Sequence, residues 1–89
     1  MEYVVVAFRS RSETVKFNAY LKRNGLSSEL INTPKEAKVG CGLSVRIPRS
    51  NFYIIKNAVN FAINYGGFKT FAGYFLVSIK NGKRIVKTI

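Results

Sequence analysis

At 89 residues the chain has room for one hydrophobic core and is read as a single domain, 1–89; its 47% hydrophobic content, with seven Phe and five Tyr, excludes a disordered chain. Fifteen Lys and Arg against four acids give a net charge of +11, a field that attracts polyanions without choosing among them. With no histidine and one cysteine, Ser–His and Cys–His nucleophilic pairs and an internal disulfide are excluded, and a tetrahedral zinc site would lack its usual ligands.

Residues 3–8 form a β-branched and aromatic run, the pattern of a central strand buried on both faces. Ser10 or Ser12 caps a helix over 12–23, with Glu13 in its first turn, Phe17, Tyr20 and Leu21 at helical spacing, and Asn24-Gly25 as the stop. A short strand is expected over 26–31, ended by Asn32-Thr33-Pro34, and a connection runs to Gly40. Leu43, Val45 and Ile47 alternate with Ser44 and Arg46, a half-buried strand closed by Pro48.

Ser50 or Asn51 is the expected cap of a second helix reaching Tyr65 before Gly66-Gly67. Its apolar arc holds Phe52, Ile54, Ile55, Ala58, Val59, Phe61, Ala62, Ile63 and Tyr65, wider than one sheet contact requires, so one edge is free for a partner, a second copy in a homodimer included, or for the C-terminal segment. Strands over 71–79 and 84–89 flank Asn81-Gly82, the strongest short hairpin signal. The order β-α-β-β-α-β plus a strand predicts an α+β, ferredoxin-like βαββαβ sandwich, with an antiparallel sheet, two helices on one face and a C-terminal β-hairpin extension. No apolar run approaches the roughly 20 residues of a membrane-spanning helix, and no signal-peptide pattern is found, so the expected location is cytoplasmic, with no membrane partner.

Cys41 stands between Gly40 and Gly42, where the chain bends and crowding is relieved on both sides. In the expected topology this loop, the turn after the first strand and the Gly66-Gly67 loop share one end of the domain. Cys41 then lies near Phe8, Arg9 and Ser10 and faces the N-terminus of the first helix. Unpaired amides there, with Arg9, Arg11, Lys38 and Lys69, would favour the thiolate over the thiol. The same groups without the sulfur would hold a phosphate or sulfate, and a packed structural thiol is the plain alternative. Glu2, Glu13, Glu29 and Glu36 make no obvious carboxylate pair.

The segment Ile31-Asn32-Thr33-Pro34-Lys35-Glu36-Ala37-Lys38-Val39-Gly40-Cys41-Gly42-Leu43-Ser44-Val45-Arg46 resembles the small bacterial family of selenium/sulfur (Se/S) carrier-like proteins. Members pair a Thr-Pro-basic-Glu stretch with Cys-Gly at this spacing, after a strand and helix like those of residues 3–25, and the resemblance covers roughly residues 3–65. It implies that Cys41 carries sulfur or selenium as a persulfide or selenosulfide, with Gly42 keeping the approach open and Thr33-Pro34 part of the motif. Two departures stand out. The segment before the cysteine, often serine-rich in such proteins, is Lys38-Val39-Gly40 here, and the C-terminal hairpin is extended.

The function expected is a carrier-like accessory protein, not an enzyme, with no cofactor and no metal; its partners are sulfur or selenium donor and acceptor proteins, beside non-specific polyanion binding. The alternatives are a nucleic-acid-binding module, using basic loops and exposed sheet aromatics such as Tyr74, and a structural or regulatory subunit docking through its wide apolar helix.

Overall fold

The structure, a computed structural model, describes residues 1–89. Its elements are β1 (Glu2–Phe8), α1 (Arg11–Arg23), β2 (Glu29–Asn32), a 3-10 turn (Lys35–Ala37), β3 (Leu43–Pro48), α2 (Arg49–Tyr65), β4 (Phe71–Lys80) and β5 (Lys83–Thr88). The five strands form one antiparallel sheet in the order β2-β3-β1-β4-β5. The fold is therefore α+β, with two helices and a five-stranded antiparallel sheet. No helix is long and apolar enough to cross a membrane.

Alternation along β1 divides its side chains between two hydrophobic layers. Val4, Val6 and Phe8 meet Phe17 and Leu21 of α1 and Phe52, Val59 and Ile63 of α2, while Tyr3, Val5 and Ala7 meet Phe75 and Val77 on the opposite face. Both helices thus cover one face. The other is closed by Ile31, Ala37, Val39, Ala72 and Val86, so the 3-10 turn folds back over the sheet, where Glu36 takes two hydrogen bonds from Arg84 of β5.

Three local expectations are corrected, and the free edge expected of the α2 arc is found. The strand expected over 26–31 begins only at Glu29, because Leu26 completes the end of α1: its N–H bonds to Leu21 O and that of Gly25, at φ +72°, to Lys22 O, the paired bonds of a Schellman cap. Leu26 then packs on the core. Neither Ser50 nor Asn51 caps α2; the helix starts directly from Pro48, whose ring fixes φ at −54°. The apolar arc of α2 is split, for Phe52, Val59, Ala62 and Ile63 are buried while Ile54, Ala58, Phe61 and Tyr65 form an exposed stripe one helical face wide. Tyr74 is not free on the sheet: its ring lies 5.1 Å from that of Phe52 and 4.9 Å from that of Phe71, and its hydroxyl donates to Asn60.

Burial pushes the Tyr74 phenol up to about 12, from an ordinary value of 10.0. The folded state thereby holds a proton that the unfolded chain releases, so stability falls as pH rises from about 10 toward 12. A spectrophotometric titration is expected to show one late tyrosinate step near 12 that Tyr74→Phe removes. Persistence of that step in the variant would contradict the assignment.

Candidate functional site

The C-terminal end of β1 is where the loops meet. Arg9 N–H donates to Thr70 O, Ser10 N–H donates to Thr70 Oγ1, and Thr70 N–H and its hydroxyl donate to Glu13, so the α2–β4 loop is tied to the first turn of α1. On the other side of the strand, Gly40 lies against Phe8: a Cβ at residue 40 would stand 3.0 Å from Phe8 O. Thr33 N–H donates to Gly42 O and the Thr33 and Ser44 hydroxyls are 2.6 Å apart, which closes the base of the loop beyond the β2–β3 ladder.

Cys41 is partly exposed, next to the Gly42 that closes the base of this loop, and is not in a disulfide. Its Sγ lies 3.5 Å from Leu43 O and 3.8 Å from the Thr14 hydroxyl, which itself donates to Ser10 O at 2.9 Å. The thiol therefore faces the first turn of α1. No amide of that turn donates to it; the Glu13 N–H goes to the capping Ser10 hydroxyl and the Thr14 N–H to Ser10 O. Thr14 is the residue that sequence reading missed. A threonine inside a helical pattern reads as a neutral core position, and only the fold brings it to the sulfur.

The basic residues gather elsewhere. A cleft of about 530 Å³ is lined by Arg9, Thr33, Pro34, Lys35, Lys38, Val39, Gly40 and Gly42. Thus Gly40 and Gly42 border it, while Cys41 is not part of its wall. Arg11, in the first turn of α1, and Lys69 are also outside it. Lys38 adopts the left-handed conformation at φ 55°, and Gly40 and Gly42 both have φ +88°, so a sharply folded loop divides the thiol from the cleft.

The sheet offers no stacking platform on the face away from the helices. Its aromatic residues there, Tyr3 and Phe75, are 8% and 6% exposed, and the guanidinium of Arg46 sits over the Tyr3 ring. Nucleic-acid recognition through sheet aromatics needs open rings, and neither these nor Tyr74 supply them.

The profile of the family described as "Putative Se/S carrier protein-like" matches residues 3–67, which takes in β1, the Cys41 loop and α2. The chain belongs to this family. No curated protein and no solved structure matches it. The matched span ends before β4, so the strand that pairs the free edge of β1 and the strand that supplies Arg84 lie outside it.

The two loop glycines differ in their surroundings. Gly40→Ala combines a left-handed φ with a close backbone contact, whereas a Cβ at Gly42 meets nothing within 4 Å. Urea denaturation is expected to show a loss of roughly 2–3 kcal/mol for Gly40→Ala and about 1 kcal/mol for Gly42→Ala. Equal losses would mean that the Phe8 contact contributes nothing.

Proposed function

We propose that this protein is a sulfur or selenium carrier, an accessory protein rather than an enzyme, in which the Cys41 thiol is the loading point. The observation that carries the reading is the position of this partly exposed thiol, between two glycines of the 33–42 loop and inside the family-matched span. The sheet order of the first four strands, β2-β3-β1-β4, with both helices on one face, supports a ferredoxin-like scaffold extended by β5.

Loading needs no external oxidant or reductant. Cys41 releases its proton to solvent, and the thiolate attacks the terminal sulfur of a donor protein's cysteine persulfide. A bond forms between Cys41 Sγ and that sulfur as the donor's S–S bond breaks; the donor leaves as a thiolate and takes up a proton. The products are a Cys41 persulfide and a donor thiol. A donor carrying selenium on its cysteine loads Cys41 as a selenosulfide by the same exchange. Unloading to an acceptor thiol is the reverse exchange.

The two polar neighbours of Sγ have opposite uses in this chemistry. In the thiol form S–H donates to Leu43 O, an acceptor that offers nothing to an anion. The Thr14 hydroxyl, by turning from Ser10 O, is able to donate to the thiolate. Thr14 is then a positioning residue for the reactive form of the sulfur.

Intact mass after incubation with a cysteine desulfurase and cysteine is expected to show a reductant-labile gain of one sulfur atom. Cys41→Ser should fold and gain none; wild-type protein that stays unloaded would overturn the proposal. Thr14→Val keeps the shape of the side chain and removes the hydroxyl. It should load about tenfold more slowly, in line with the loss of one hydrogen bond to a charged group. An unchanged loading rate would remove Thr14 from the mechanism.

A further inference from the structure

We propose that the cleft between the 33–42 loop and Arg9 is a binding site for a compact multivalent oxyanion of the phosphate class. It is separate from the thiol and does not depend on sulfur loading. Arg9, Lys35 and Lys38 all line it and are exposed. None has a carboxylate partner, since all four acids are engaged elsewhere: Glu2 with Arg49 and Ser78, Glu13 with Thr70, Glu29 with Arg46, and Glu36 with Arg84. Glu36 follows Lys35 directly in sequence, and its pairing with Arg84 on β5 commits the only acid of this loop to another partner. None of the three cations is therefore ion-paired, and Glu36 acts on Lys35 only through space.

The backbone adds donors. From Lys38 to Gly42 the sign of φ alternates, positive at Lys38, Gly40 and Gly42 and not at Val39 or Cys41, the pattern in which successive amides form an anion-binding concavity. The N–H groups of Gly40 and Gly42, both in the cleft wall, donate to no backbone carbonyl. Of the eight wall residues only Val39 is a hydrophobic side chain, and none is aromatic. A nucleobase or an apolar ligand thus has no surface to lie on, whereas phosphate oxygens find guanidinium, ammonium and amide donors together. The class is accordingly a small inorganic oxyanion such as pyrophosphate, not a nucleotide.

Titration of the full chain with sodium pyrophosphate at constant ionic strength, followed by amide NMR shifts, tests this. A saturating 1:1 response is expected, centred on the amides of Lys38, Gly40 and Gly42. Arg9→Gln with Lys35→Gln should weaken binding roughly tenfold or more. Lys56→Gln with Lys87→Gln, which lowers the net charge by the same two units, should change it less than about twofold. Both pairs are at exposed positions, and the unliganded spectra report folding directly. Lys35→Gln alone is the further variant if the first pair is perturbed, and it too should weaken binding. Cys41→Ser should bind as the wild type does, which separates this site from the carrier chemistry. Non-saturating shifts spread over the surface, or equal losses in the two charge-matched pairs, would overturn the proposal. ADP binding tighter than pyrophosphate would overturn its restriction to compact anions.

Discussion

β1 is hydrogen-bonded to β3 on one edge and β4 on the other, with one hydrophobic layer against the helices and a second beneath the sheet. A strand enclosed on four sides has no freedom to shift, because a slip of one residue would exchange its two apolar layers and break both ladders. Its last residues inherit that fixity. Phe8 supplies the carbonyl against which Gly40 is pressed, and Arg9 follows it into the hydrogen bond with Thr70, so one strand end positions the thiol loop, one cation of the cleft and the first turn of α1.

The second hydrophobic layer explains why the sheet face is not open. In a two-layer α+β domain the face away from the helices is commonly solvated, but here Ala37 and Val39 fold across it and Val86 approaches from β5. The Arg84–Glu36 pair ties these pieces at the surface. This pairing by itself contributes little in water, and its consequence is placement: it occupies the one acid of a loop that otherwise holds Lys35 and Lys38. A strand outside the family-matched span thereby influences the electrostatics of a loop within it.

Much of the fold was legible in the sequence because its signals are local. The apolar run of β1, the Ser10 cap and Asn24-Gly25 stop of α1, the alternation of β3 and the Asn81-Gly82 turn, with φ 52° and 75°, each satisfy a constraint that acts over a few residues. The start of α2 was misread because two good capping residues stand just after Pro48, and proline, lacking a side-chain acceptor, leaves no capping signal of its own. Leu26 was misread because a Schellman cap and the first residue of a strand both begin with an apolar residue after glycine. Tyr74 was misread because sheet alternation does not say which face the helices cover.

The site was legible in composition but not in grouping. Cys41, Gly40, Gly42, Arg9, Lys38, Thr33 and Pro34 do converge on one end of the sheet, yet the loop separates them into a thiol facing Thr14 and a cleft bearing the cations. Adjacent residues of a tight loop point to different sides, and sequence proximity alone therefore merges what the backbone divides. The division has a chemical consequence. A sulfur that must receive and release an atom needs access to another protein's sulfur, and an anion lodged directly on it would repel both the thiolate and an incoming persulfide. With the cationic cleft on a different wall from the sulfur, the two functions proposed above would not compete within one short loop.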